Sequence, residues 1–175
     1  MNRWEYGAGA VLSLHRSADP RAASLHSDTA GPMAVPTPEG YRYVVNVIGG
    51  YSRYKAVVLI KEKRHAKTAL MHVFNASDTK TEQKVGIIWT DDDKEYTGQE
   101  NDYCVAAKGI ERQRSAPYLH QQHGVAERYN RPVQERITAL LTDAGLDFKS
   151  WAEAAVTATV TDYRIPQSGQ VKTPF

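Results

Sequence analysis

Apolar positions along the chain switch between a two-residue and a helical period, and the switches mark out the elements. Tyr41-Arg42-Tyr43-Val44-Val45-Asn46-Val47-Ile48 is rich in aromatic and β-branched residues and predicts a strand. Gly49-Gly50 supplies a turn, after which Tyr54 to Ile60 predicts a second strand that pairs back antiparallel. Over residues 64 to 76, Ala66, Leu70, Val73 and Phe74 fall near helical spacing, with Lys63, Arg64 and Lys67 elsewhere, as in an amphipathic covering helix. Val85 to Trp89 is a compact apolar strand, and Asp91 falls just past its carboxyl end. A short helix over Tyr103 to Lys108 and a strand over Ile110 to Ser115 come next, then a polar loop from Pro117 to Gly124. Val133, Ile137, Leu140, Leu141 and Ala144 repeat at helical spacing until Gly145 stops the helix. A last helix over residues 148 to 163 has Trp151, Ala154, Ala155 and Ala158 on its packed side.

The amino-terminal part is less patterned. Residues 1 to 22 mix Gly, Ser, Arg, Asp and Pro20 with neither period and are expected to form a loose leader to a single domain over 23 to 175. Leu25 to Asp28 is a short extended segment that Thr29-Ala30-Gly31-Pro32 is expected to end, which puts Asp28 at a strand terminus. Element order is then strand, strand, strand, helix, strand, helix, strand, helix, helix.

Composition narrows the possibilities modestly. At 175 residues the chain can fill one core. Twenty-two Lys and Arg against 20 Asp and Glu leave a net charge of +2, too small to announce nucleic-acid binding by itself. The one cysteine, Cys104, excludes a disulfide framework or a zinc module of paired Cys and His within these residues, and makes a reducing compartment the default. His120 and His123, three apart, are better read as solvated loop residues than as zinc ligands. The longest apolar stretch, Tyr43 to Ile48, is interrupted by Asn46 and falls far short of the roughly 20 residues a membrane helix needs, so no membrane partner is expected.

Chemistry enters with the carboxylates. Asp91 closes an apolar strand, and thirty-five residues separate it from Glu127 in Gly124-Val125-Ala126-Glu127-Arg128. Asp28 lies in His26-Ser27-Asp28 before Gly31-Pro32. Together with Tyr51-Ser52-Arg53-Tyr54, Glu95-Tyr96, Gln121-Gln122, Asn130-Arg131, Trp151-Ala152-Glu153-Ala154 and Thr173-Pro174, these motifs resemble the catalytic core of copia-type retrotransposon integrases over residues 21 to 175. The resemblance implies an α/β, ribonuclease H-like fold: a five-stranded mixed sheet, three strands antiparallel and then two parallel, flanked by helices. It also implies that Asp28, Asp91 and Glu127 are catalytic and hold two Mg2+ (or Mn2+) ions once DNA is bound. Water would cut the element's DNA end and the resulting 3′ hydroxyl would attack target DNA. Hard cations about 3.5–4 Å apart need such oxygen ligands.

Implied partners are DNA, as element ends and target, and further copies of the chain in a homo-oligomer. The location would be the nucleus or a cytoplasmic particle. Lys108, Arg112, Arg114, Arg128 and Arg131 are expected to line a phosphate track, which such an enzyme requires. Three departures from the family pattern weigh on activity. Asp92-Asp93 follows Asp91 where the family has Asn-Gly, and Pro132 must either kink the Glu127 helix or sit in the first turn of the next one. The third is the lack of a zinc module. Two rival readings are therefore a transposon-derived fragment that keeps the fold and nucleic-acid binding without integration, and a ribonuclease H-type nuclease.

Overall fold

β-Branched runs that bury both faces make the centre of a six-stranded mixed sheet, with strand order β1-β4-β3-β2-β5-β6. The computed structural model describes residues 8–9, 24–50, 55–80, 85–90, 108–114 and 133–165. The strands are β1 (Ala8–Gly9), β2 (Ser24–Ala30), β3 (Tyr43–Gly49), β4 (Lys55–Ile60), β5 (Ile87–Thr90) and β6 (Glu111–Arg114). β2, β3 and β4 pair antiparallel, whereas β5 runs parallel to β2 and β6 parallel to β5. This is the expected ribonuclease H-like arrangement of three antiparallel and two parallel strands, enlarged by β1 at the β4 edge.

Helices cover both faces. On one side α1 (Ala66–Lys80) sets Ala66, Ala69, Leu70, Val73 and Phe74 against Leu25, Val45, Val47, Val58, Ile60 and Ile88. These helical positions recur at three and four residues, so one stripe is dry and the other faces water. On the opposite side α2 (residues 133–144) and α3 (Trp151–Arg164) bring Val133, Ile137, Leu141, Trp151, Ala154 and Ala155 against Ala30, Val44, Val57 and Leu59. The Trp151 indole donates to the Val35 carbonyl at 2.9 Å, which anchors the start of α3 to the loop before β3. Gly145, at φ 62°, ends α2 as expected: its amide bonds Thr142 O at 3.2 Å and the Leu146 amide bonds Leu141 O at 2.9 Å.

Three expectations need adjustment. Within residues 1–22, Ala8 and Gly9 pair with Val58 and Val57, so part of that segment belongs to the sheet. β2 continues two residues beyond Asp28, because Thr29 and Ala30 still find partners in Val45 and Val44 and Ala30 is buried. Gly31 ends it instead: at φ 128° a Cβ there would lie 2.7 Å from Arg42 O. Finally, residues 148–150 form a separate 3-10 turn, capped by the Asp147 carboxylate accepting from the Lys149 amide at 2.8 Å, ahead of the helix proper. The expected helix over Tyr103 to Lys108 lies outside the described residues except for Lys108, which is in a turn.

Candidate active site

Asp28 occupies the central strand, so its neighbours are set by two different pairings. Toward β3 it faces Asn46, well inside the antiparallel ladder. Toward β5 the last pair is Ser27 with Thr90, and Asp28 is the first residue beyond it. The expected terminal position is therefore correct on one side of the strand only. Because side chains alternate along a strand, His26, Asp28 and Ala30 share the face that α2 and α3 cover, together with Asn46 and Val57. His26 stacks on Trp89, its partner in β5, with ring centroids 6.1 Å apart and an 11° interplanar angle. Asp28 thus stands beside a packed aromatic pair and opposite a buried amide, with no cation in register with it along β3 or β4. A carboxylate and an amide oxygen suit a hard divalent ion.

Of the other residues expected in the site, Asp91, Glu127, Arg128 and Arg131 lie outside the described residues. β5 stops at Thr90, immediately before Asp91 in the chain. Arg114 pairs with Thr90 and so lies at the same end of the sheet as Asp28. Lys108 does not: it precedes Glu111, which pairs with Ile87 at the start of β5, the far end of the parallel strands. Arg112 is on the other face. Its partner Ile88 packs beneath α1, and its Nε donates to the Thr90 hydroxyl at 3.0 Å. Among the described residues no group of three His, Cys, Asp or Glu side chains is assembled to hold a metal, Asp28 being the one described member of the expected triad.

Two polar features near the site were assigned no role from the sequence. The first is Ser27, a residue 2% exposed whose buried hydroxyl has no hydrogen-bond partner among the described residues. A buried unsatisfied hydroxyl costs about 1–3 kcal/mol. Ser27→Ala is accordingly expected to stabilise the fold by about 1 kcal/mol, read as a rise of roughly 2–4 °C in thermal midpoint; a lower midpoint would mean that the hydroxyl has a partner in solution.

The second is a charged cluster two strands across from β2 and two residues along the register from Asp28. Lys55, which faces Ile48 and through it His26, donates from Nζ to Asp162 Oδ2 at 2.5 Å. Arg136 of α2 pairs with the other oxygen, Oδ1. The Lys55 and Asp162 side chains are only 9% and 6% exposed. Burial, and after it the Arg136 charge, pushes the Lys55 ammonium down to about 8. One buried carboxylate thereby holds β4, α2 and α3 together.

No protein-family model matches the chain. Curated relatives do. The chain is 32% identical over 143 residues to the retrovirus-related Pol polyprotein from transposon TNT 1-94 of Nicotiana tabacum, across 81% of this chain and 11% of that polyprotein. It is 24% identical over 138 residues to the Pol polyprotein from transposon RE1 of Arabidopsis thaliana, across 78% of this chain and 9% of the relative. The chain spans about a tenth of the length of these polyproteins. Among solved structures it superposes on a chain of the simian T-cell lymphotropic virus intasome in complex with PP2A regulatory subunit B56 gamma, with a TM-score of 0.69 at 17% identity over 99% of this chain and 59% of that one. At that identity the likeness is one of fold. No helix among the described residues is long and apolar enough to cross a membrane.

Proposed function

This chain belongs with the integrase cores of retrotransposon Pol polyproteins, and on that premise we propose that it acts in DNA integration as a metal-dependent polynucleotidyl transferase, with Asp28, Asp91 and Glu127 as its carboxylates. One observation carries the reading. The β2–β5 register ends with Ser27 opposite Thr90, and the residue that follows each of them in the sequence is an aspartate. Neighbouring strands lie about 4.8 Å apart, so continuing that register would bring two carboxylates within reach of one ion.

When bound, two divalent ions would activate the attacking water or 3′ hydroxyl and offset the charge that builds on the phosphate. The chain's own part is to hold those ligands rigidly. Asp28 does so from a strand hydrogen-bonded on both sides up to Ser27, with Asn46 opposite and the His26–Trp89 stack behind it. The substrate class is DNA, as element end and target, engaged by a homo-oligomer in the nucleus or in a cytoplasmic particle. Arg114 lies at the same end of the sheet as Asp28, on the face it shares with Arg112.

Asp92-Asp93 favours a second reading, a remnant that binds metal and DNA but joins poorly. Two further carboxylates attract cations while repelling the scissile phosphate, because like charges a few ångströms apart interact strongly outside bulk water. The experiment is strand transfer from a model DNA end into target duplex, run with Mn2+ or Mg2+ alongside calorimetric Mn2+ binding. The unmodified chain is expected to bind Mn2+ and join weakly, and Asp92→Asn with Asp93→Gly to raise joining at least tenfold, about 1.4 kcal/mol in the barrier. Equal joining by both proteins would show that the extra charges are harmless. Metal binding without joining by either would favour the remnant, and cleavage confined to an RNA–DNA hybrid would favour the ribonuclease H-type nuclease.

A further inference from the structure

Residues 61 to 67 read Lys-Glu-Lys-Arg-His-Ala-Lys, and the sequence alone makes them the wet side of a covering helix. The fold gives them a particular place. β4 runs in the same direction as β2, and Asp28 faces Asn46 and, through it, Val57. Ile60, where β4 ends, is three residues past Val57, toward the end of the sheet at which Asp28 stands. Two strand spacings of about 4.8 Å and three residues at about 3.3 Å put it roughly 14 Å from Asp28. Lys61 comes next, with its Nζ 5.8 Å from the centre of the Tyr41 ring. That ring belongs to the core beneath α2 and α3, on the face that carries Asp28. A 3-10 turn, Lys63–His65, then leads Lys63 and Arg64 into the start of α1, where Lys67 is in the first turn.

These cations stand where a helix by itself prefers anions, because its amino-terminal end is positive. α1 has no acidic residue in its first turn, and Glu62 makes no capping hydrogen bond from its side chain. Glu62 instead pairs with Arg64, Oε2 to Nε at 2.7 Å, with the two side chains 53% and 75% exposed. A pair so exposed contributes little in water, and phosphate oxygens can take the carboxylate's place at the guanidinium.

We propose that this turn is a docking surface for double-stranded DNA, with Lys61, Lys63, Arg64 and Lys67 contacting backbone phosphates and directing the duplex over the end of the sheet toward Asp28. This rests on the proposed role of Asp28 in DNA joining. Charge and distance both favour that occupant. A duplex advances about 3.4 Å per base pair, so an offset of about 14 Å places the contact roughly four base pairs from the reacting phosphate. Phosphate contacts fix position without reading sequence, and binding through this turn is therefore indifferent to base composition.

Salt dependence counts the contacts. Lys61→Gln and Arg64→Gln are each expected to reduce the slope of log K for duplex DNA against log salt by about 0.9, and the double variant by about 1.8. Each single variant then binds about eightfold more weakly at 0.1 M salt, the factor by which a slope of 0.9 separates 0.1 M from 1 M. Arg164→Gln is the matched control and should leave the slope unchanged. It removes one exposed guanidinium at the far end of the sheet, two residues past Asp162, which bonds Lys55 where β4 begins. Thr68→Glu, at an exposed position in the first turn of α1, separates binding from folding. It should raise the thermal midpoint by about 1–3 °C through the helix dipole, yet lower duplex affinity by about as much as the loss of one contact.

Unchanged slope in the double variant, an equal drop in Arg164→Gln, or a higher midpoint in Thr68→Glu with duplex affinity retained would each overturn the docking surface and leave the carboxylate site standing. So would failure of the unmodified chain to bind duplex DNA at low salt. Binding to phosphatidylserine vesicles that falls in the double variant while duplex binding holds would assign the turn to an anionic membrane surface and overturn the inference likewise. Mn2+ affinity should be equal in all these variants. An unmodified chain that binds no Mn2+ overturns the carboxylate site, and with it the destination of the duplex, while the slopes still decide the docking surface.

Discussion

Asp28→Asn is expected to abolish DNA joining to within about a hundredth of its starting level and to weaken Mn2+ binding by more than tenfold, while the protein stays folded. The change keeps the shape of the side chain and removes one negative charge. At about 4 Å from a cation, in surroundings of effective dielectric near 20, a unit charge is worth on the order of 4 kcal/mol. A hundredfold loss corresponds to about 2.7 kcal/mol, so the expected loss needs only part of that attraction. Stability should hold because Asp28 is only half-buried and Asn retains hydrogen-bonding capacity opposite Asn46. The measurement is joining in the Asp92→Asn/Asp93→Gly background, where joining is expected to be strongest, with Mn2+ titration in both backgrounds. Joining and Mn2+ affinity both unchanged by Asp28→Asn would remove this carboxylate from the mechanism.

Asp162→Ala should act on the fold instead. Removing it leaves the buried Lys55 without the carboxylate it donates to and sets it beside Arg136. Deleting one partner of a buried ion pair typically costs 3–5 kcal/mol, which for a domain of this size lowers the thermal midpoint by on the order of 10 °C. The pH dependence carries the sign. Lys55 falls to about 8 in the folded chain from an ordinary value of 10.5. Between those values the unfolded chain binds more protons, so this group's contribution to stability rises with pH across that window. Below about pH 8 the cost of burying the charge is present in full. The Asp162→Ala defect should accordingly be largest at acidic to neutral pH and shrink as pH rises through about 8, where Lys55 of the folded chain gives up its proton. A defect independent of pH would locate the damage in packing or in the Arg136 contact.

Hydrophobic pattern revealed those parts of the fold that are stabilised locally. β3 and β4 declare themselves by runs of Val, Leu and Ile, and α2 by apolar residues at helical spacing closed by Gly145, whose positive φ the structure confirms. The motifs around Asp28 likewise led to the central strand. What stayed hidden depends on long-range partners. Nothing in Ala8–Gly9 marks a strand; it becomes one because β4 has an edge to offer. Lys55 and Asp162 are 107 residues apart, and each read alone is an ordinary charged residue. The orientation of Arg112 was within reach: a two-residue alternation from Ile110, which is buried in the α1-side core, puts Arg112 on that same inward face.

The short first strand matters for how the protein can be cut down. Every residue of β4 is buried, four of its six side chains are Val, Leu, Ile or a second Val, and Ala8–Gly9 pairs with its outer edge at Val57 and Val58. A segment that reads as dispensable therefore acts as a guard rail for an apolar strand. Trimming the chain to residues 23–175 would strip that guard and present unpaired amides and carbonyls on a flat hydrophobic edge, the template on which sheets of separate molecules join. Insolubility of such a truncated chain would then report an uncovered edge and say nothing against the independence of the domain.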